Sequence, residues 1–204
     1  MQLIGMMDSP FVRRVAISMR MMGFEFEHRP LSIFNTYDEF RQLNPLVKVP
    51  TLVCDNGKML VDSSLILDYL ESLAPSEQRL LPGNIDQRQS ALSVIGVALI
   101  AMEKSAQLIY ETKRRPVERQ HAPWIERLQQ QLFSAYELLE TTIKATDPWP
   151  AGERLMQDGL SIAVAWRFTQ HVFPDRIIEG EFPALAMFSA RAERLPEFLG
   201  CPLD

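Results

Sequence analysis

The dipeptide Ser9-Pro10 is the first feature of the chain that can support chemistry. Serine is a preferred N-cap residue, and proline is favoured at the first helical position because its missing N–H would have no partner there. A hydroxyl hydrogen bond to an anion is worth roughly 1.5–3 kcal/mol, and a helix N-terminus adds about 0.3–1 kcal/mol. Ser9 can therefore stabilise an anion such as a thiolate, but plain helix capping is the simpler interpretation of the local sequence.

A second helix N-terminus is predicted at Asp62-Ser63-Ser64, directly before an apolar periodic stretch. The first N–H groups of a helix form a ready site for an anion, and the Asp62 carboxylate can pair with an amine. Helix capping alone is again the alternative.

The sequence shows no residue pattern typical of metal-dependent catalysis, phosphate binding or a catalytic triad. Cys54 and Cys201 are far apart, and neither has histidine or cysteine neighbours at the spacing of metal ligands. The three histidines are scattered, and we identify no metal site, phosphate-binding loop or Ser-His-Asp triad. Because a disulfide framework is improbable with two distant cysteines, the sequence favours a reducing, cytoplasmic environment.

The composition is that of an ordinary globular protein. Of 204 residues, 47% are hydrophobic and 23% are charged, and the net charge of −5 argues against nucleic acid as a partner. The longest apolar run, 91–102, is too short to cross a membrane, so it predicts a buried helix and no membrane association. The N-terminal residues lack the pattern of a secretion signal.

The elements that must position Ser9 and Asp62 follow from hydrophobic periodicity. Residues 1–75 predict the order βαβα–ββα, with a parallel pair joined by a crossover helix and an antiparallel hairpin around Asp55-Asn56-Gly57. The first helix carries an apolar stripe and stops at Gly23, and the alternation in 24–28 predicts the second strand.

A linker is predicted at 76–85, and only helical patterns follow it over 86–204. The candidate helices are 87–112, 123–146, 158–172 and 183–194. Asp158 is expected to cap the third of these, with Ser161 as its weaker reciprocal partner.

Four segments, in order and at sensible spacing, resemble the cytosolic glutathione transferase family, specifically its serine-type tau class and related bacterial members. They are 9–17 (SPFVRRVAI), 44–52 (NPLVKVPTL), 62–70 (DSSLILDYL) and 182–198. The resemblance covers nearly the whole chain. It implies an α/β thioredoxin-like N-terminal domain followed by an all-α C-terminal domain, and a homodimer.

The resemblance also implies a ligand, glutathione, and a set of residues that hold it. Ser9 would stabilise the glutathione thiolate. Val49, before a cis Pro50, would pair with the cysteinyl amide, and Asp62 and Ser63 would take the γ-glutamyl amine and carboxylate. Lys48 can reach the glycyl carboxylate, although a solvated lysine is an equal alternative; a second lysine common in tau-class members is replaced here by Asn35.

The activity that the resemblance implies is attack of the glutathione thiolate on a small hydrophobic electrophile. Lowering a thiol pKa from about 8.5 to about 6.5 requires roughly 2.7 kcal/mol, which a hydroxyl at a helix N-terminus can supply. Two alternatives remain. The first is a glutathione-dependent reductase, which requires a cysteine at the position that Ser9 occupies. The second is a non-catalytic, protein-binding member of the same fold, similar to stringent starvation protein A. Such a protein would not need to retain Ser9, Val49 and Asp62 together.

Overall fold

The computed structural model describes residues 1–203, which divide into two compact units. The first unit comprises Met1–Leu81 together with residues 194–203, and the second comprises Pro82–Glu193. The C-terminal residues thus pack with the first unit, although sequence patterns alone group them with the helical region. The domain limits drawn from the sequence, 1–75 and 86–204 with a linker at 76–85, stay a prediction.

Four strands and eight α-helices make up the described chain. The strands are β1 (Gln2–Ile4), β2 (Glu27–Arg29), β3 (Thr51–Val53) and β4 (Met59–Val61). The helices are α1 (Pro10–Met21), α2 (Tyr37–Leu43), α3 (Ser63–Leu73), α4 (Ile85–Ile109), α5 (Ala122–Thr146), α6 (Gln157–Val172), α7 (Pro183–Ala192) and α8 (Pro196–Leu199). A π-helical turn, Tyr110–Arg114, extends α4.

The sheet of the first unit has the order β2-β1-β3-β4. Strands β1 and β2 are parallel, whereas β1–β3 and β3–β4 are antiparallel. The βαβα–ββα order and the thioredoxin-like fold class are therefore confirmed. The apolar stripe of α1 is fully buried, as its spacing predicts; its members are Val12, Val15, Ala16 and Met19.

The end of α1 explains why the second strand is shorter than predicted. Gly23 adopts a φ of +75°, and its N–H and that of Phe24 donate to the carbonyl oxygens of Arg20 and Met19. This is the Schellman arrangement, which uses a left-handed residue to close the last turn. Because Phe24 is engaged in the helix end, the strand predicted over 24–28 is wrong at its start, and pairing with β1 begins only at Glu27.

The second unit is all-helical, and helix α4 runs along its centre. Helix α4 packs against both α5 and α6, and its buried residues recur every three or four positions, as in a core helix. With the π-helical turn it spans Ile85–Arg114, which by length and composition alone is enough to cross a membrane. The helix is thus much longer than the apolar run 91–102 that the sequence analysis singled out.

A chain of buried hydroxyl groups joins three helices of this unit. The Tyr136 hydroxyl of α5 donates to the carbonyl oxygen of Ala165 at 2.9 Å and lies 2.7 Å from Thr169 Oγ1, both on α6. Thr169 Oγ1 in turn lies 2.6 Å from Ser105 Oγ of α4. Burial raises the pKa of Tyr136, so this phenol stays neutral. The hydroxyl groups of Tyr136, Thr169 and Ser105 thus link helices α5, α6 and α4 inside the bundle.

The predicted cap of α6 is wrong. The helix begins at Gln157, so Met156 is the N-cap and Asp158 lies inside the first turn. The Asp158 carboxylate accepts the adjacent N–H of Gly159, at 2.9 Å, and Ser161 donates back to the carbonyl oxygen of Gln157. The helix starts earlier than the polar residues suggest because Gln157 is itself buried in the unit.

Candidate functional site

The register of the sheet brings three chain segments to one edge. Ile4 pairs with Thr51, and Thr51 pairs with Val61 on its other side. The segment after Ile4, the segment before Thr51 and the segment after Val61 therefore leave the sheet at the same place. These segments lead to Ser9, contain Val49, and begin with Asp62.

Gly5 shows how closely two of these segments approach. Its φ is +138°, and a Cβ atom placed on it would lie 2.5 Å from Val12 Cγ2 and 3.0 Å from Val49 Cγ1. Only a residue without a side chain fits between them. The first turn of α1, which Ser9 begins, thus lies beside Val49.

Ser9 is the N-cap of α1, as its sequence context predicts. Its backbone is extended, Pro10 occupies the first helical position, and Ser9 Oγ accepts the Val12 N–H at 3.5 Å. The capping bond is long, and it uses the oxygen of the hydroxyl as an acceptor. Because Ser9 is half-buried and the hydroxyl hydrogen is not used in this bond, the group can donate to a ligand.

The segment before β3 is held by two buried polar side chains. The Val49–Pro50 peptide is cis, as the family resemblance implies. Asn44 Nδ2 donates to Thr51 Oγ1 at 2.8 Å, and Thr51 Oγ1 donates to the carbonyl oxygen of Lys48 at 2.6 Å. The backbone on either side of Val49 is thereby tied down, while the Lys48 side chain is exposed.

The anchoring role of Asn44 can be measured. In an Asn44→Ala chain, Thr51 loses its donor, so we expect destabilisation by about 1–3 kcal/mol in denaturant unfolding. Because the loop that carries Val49 is loosened, affinity for the ligand of this edge should fall as well. An Asn56→Ala chain is the matched control, since Asn56 is exposed in the hairpin turn; equal losses in both chains would contradict the anchoring role.

Asp62 and Ser63 form the N-terminus of α3, as predicted. Asp62 is the exposed N-cap, with a φ of +73°, and its Oδ1 accepts the Ser64 N–H at 2.9 Å. A positive φ is unusual for any residue other than glycine, and such outliers cluster at functional sites. Val47, in the neighbouring loop, has a φ of +47°.

Arg14 is the residue of this edge that the sequence analysis did not assign to the site. It is 2% exposed, and its Nη1 donates to Ser63 Oγ at 3.1 Å and to Ser64 Oγ at 3.3 Å. Burial lowers the pKa of Arg14 to about 10, and the nearby Asp62 carboxylate partly opposes that effect. The side chain therefore connects α1, which Ser9 caps, with the start of α3.

Arg13 is buried as well, but it serves a different part of the first unit. Its Nε donates to the carbonyl oxygen of Cys201 at 2.7 Å, and its guanidinium lies over the Phe198 ring at 5.6 Å. Both arginine side chains are thus buried within the first unit and do not lie on its surface. The signal available in the sequence was their position between Val12 and Val15, on either side of the apolar stripe.

Two clefts of about 400 and 320 Å³ lie in the second unit. The first lies along α6 and α7, beside Trp166 and Ser189, and the second lies near Phe133 and Arg176. Within residues 1–203, no three His, Cys, Asp or Glu side chains are placed to hold a metal ion. The residues that the sequence analysis predicts for the site lie at the edge of the sheet described above.

The fold and this edge define a class: a thioredoxin-like domain with two helix N-termini beside a cis-proline loop, joined to an all-α region. Residues 3–78 match the family described as glutathione S-transferase, N-terminal domain. Over these residues the chain is similar to the glutathione S-transferase family.

Two relatives and one solved structure illustrate the match. The uncharacterized GST-like protein YibF of Escherichia coli K12 is 38% identical over 78 residues, and the alignment covers 37% of this chain and 39% of that protein. Glutathione S-transferase U22 of Arabidopsis thaliana is 27% identical over 126 residues, covering 62% of this chain and 58% of the relative. The chain thus spans less than two thirds of these curated relatives.

The solved structure is similar over the whole chain. It is a glutathione transferase family member from Pseudomonas fluorescens Pf-5 with bound glutathione, 25% identical, with a TM-score of 0.86. The match covers 100% of this chain and 98% of the other.

Proposed function

We propose that this chain is a glutathione transferase that binds glutathione at the edge of the sheet formed by Ser9, Val49 and Asp62-Ser63. The single observation that carries the proposal is the convergence of these residues through the pairing of Ile4, Thr51 and Val61. A structure similar to the whole chain is described with bound glutathione, and it supports the choice of ligand.

Each group of glutathione has a counterpart of suitable chemistry. The thiolate would accept the hydrogen of the Ser9 hydroxyl at the N-terminus of α1. The cysteinyl amide would pair with the Val49 backbone. The γ-glutamyl carboxylate would meet Ser63 at the N-terminus of α3, and the amine would meet Asp62. The exposed Lys48 would pair with the glycyl carboxylate.

The reaction that follows is nucleophilic attack by the glutathione sulfur on a small hydrophobic electrophile. The thiolate rather than the thiol is the nucleophile, so a group that favours the thiolate raises the fraction of reactive glutathione at neutral pH. No general base is required, because the thiol proton leaves to solvent when the thiolate is stabilised. We further propose that the protein acts as a cytoplasmic homodimer.

The proposal is tested by titrating glutathione into the protein by calorimetry and following the thiolate absorbance of the complex against pH. We expect binding in the micromolar-to-millimolar range and a thiol pKa lowered to about 6.5. S-methylglutathione is the matched control, because it keeps both carboxylates and the amine but has no ionisable thiol. Absence of binding at millimolar glutathione would overturn the proposal and favour the non-catalytic protein-binding alternative. Binding without a lowered pKa would favour the reductase alternative.

A further inference from the structure

The Arg14 guanidinium is a charge enclosed within the first unit. Arginine carries only hydrogen-bond donors, and a buried charge is tolerated only where donors and counter-charge are satisfied. Arg14 Nη1 bridges the hydroxyl oxygens of Ser63 and Ser64, and the carboxylate of Asp62, the N-cap of α3, interacts with the cation electrostatically. The cation thus faces the three residues that open this helix.

The donor–acceptor pattern at Ser63 has a chemical consequence. Because Arg14 can only donate, Ser63 Oγ must accept, and the one hydrogen of this hydroxyl is left for another acceptor. Among residues 1–203 the structure gives the Ser63 hydroxyl no protein acceptor. A hydroxyl that accepts from a guanidinium is polarised, so it is a stronger donor toward an anion.

We propose that Arg14 is a positioning residue, which holds the Ser63 hydroxyl so that its hydrogen points to the α-carboxylate of the γ-glutamyl group. Arg14 itself does not touch the ligand. The inference rests on the proposed function, since it assigns a partner to Ser63 within the glutathione site. The inference gives the two adjacent arginines different roles. Arg14 positions a ligand-binding hydroxyl, whereas Arg13 binds the C-terminal residues.

The test compares two ligands across Arg14→Lys and Arg14→Gln chains. One ligand is glutathione, and the other is γ-aminobutyryl-cysteinyl-glycine, which lacks only the α-carboxylate. Loss of a charge-assisted hydrogen bond should weaken glutathione binding by about 10- to 100-fold, while binding of the decarboxylated peptide changes little. In turnover with an electrophile, KM for glutathione should rise while kcat at saturating glutathione stays near the wild-type value.

Three further variants make the comparison specific. Arg13→Gln removes an equally buried guanidinium from the same helix turn, so it should lower the thermal midpoint while leaving the affinity ratio of the two ligands unchanged. Ser63→Ala should reproduce the loss of glutathione affinity seen with Arg14→Lys. A chain that carries both Ser63→Ala and Arg14→Lys should lose no more affinity than Ser63→Ala alone, because both changes remove the same hydrogen bond to the α-carboxylate.

Three results would overturn this inference and leave the proposed function standing. They are equal loss of both ligands in the Arg14 variants, additive losses in the double variant, and failure of both Arg14 variants to fold, which would make Arg14 a determinant of folding. Failure of the wild-type protein to bind glutathione would instead overturn the proposed function itself.

Discussion

A Ser9→Ala chain is expected to bind glutathione but to lose most of its activity near pH 6.5. If the Ser9 hydroxyl lowers the thiol pKa from about 8.5 to about 6.5, its removal takes the thiolate fraction at pH 6.5 from about one half to about 1%. The rate constant kcat/KM with a fixed electrophile should then fall by about 10- to 100-fold. The measurement is kcat/KM as a function of pH.

The pH dependence of kcat/KM tests whether a raised thiol pKa is the reason for that loss of activity. In the wild-type protein kcat/KM should rise with an apparent pKa of about 6.5, and in the variant with one of about 8.5. The two curves should approach each other above that pH, because free thiol ionises there without help. Ser9→Thr keeps the hydroxyl and should retain the wild-type profile.

A Ser9→Asp chain distinguishes the two roles of Ser9, which are capping of α1 and activation of the glutathione thiol. Aspartate is as good an N-cap as serine, so α1 should remain stable. An ionised carboxylate has no hydrogen to donate, and its charge opposes a thiolate nearby. We therefore expect a folded protein with lower activity than Ser9→Ala. A Ser9→Asp chain as active as the wild type would restrict Ser9 to helix capping.

The largest expected loss of stability is that of a Glu140→Ala chain. Glu140 lies on α5 and is 5% exposed, and its two carboxylate oxygens accept the Ala184 and Leu185 N–H groups at 3.0 and 2.8 Å. These N–H groups open α7, so the carboxylate caps one helix from the side of another. Removing it leaves one buried and one half-buried N–H donor without an acceptor, which should cost about 2–5 kcal/mol of unfolding free energy.

The same carboxylate makes stability depend on pH. Burial works to raise the pKa of Glu140, but the bonds from Ala184, Leu185 and Lys144 outweigh it and hold the pKa below the ordinary 4.5. A lowered pKa means that the stabilisation is present above pH 4.5 and is lost as the pH falls through the folded-state pKa. Urea unfolding from pH 7 down to pH 3 should show this loss in the wild type.

Glu137→Ala is the matched control for Glu140, since Glu137 is exposed on the same helix. It should change the unfolding free energy by less than about 0.5 kcal/mol. The Glu140→Ala chain should also lack the part of the acid sensitivity that Glu140 contributes. Equal stability of the Glu137 and Glu140 variants would contradict a capping role for Glu140.

Residue order alone determined the elements of the first unit and the local geometry of its helix ends. Ser9-Pro10 and Gly23 specify a helix start and a helix stop through their own φ preferences and hydrogen bonds to neighbours within five residues. Asp62 specifies the second helix start through its side-chain hydrogen bond with the Ser64 N–H. Such contacts depend on sequence separation alone, so they could be predicted. The Asp55-Asn56-Gly57 turn and the antiparallel β3–β4 pair follow for the same reason.

Tertiary structure decided which of these local features meet and which charges are buried. Arg14 and Ser63 are 49 residues apart, and neither local sequence indicates that these two side chains would meet. The start of α6 at Gln157 and the capping of α7 by Glu140 have the same origin. In each case a contact distant in the sequence outweighs a local preference, because burial and hydrogen bonding across the unit exceed the few tenths of a kcal/mol, roughly, by which local propensities differ.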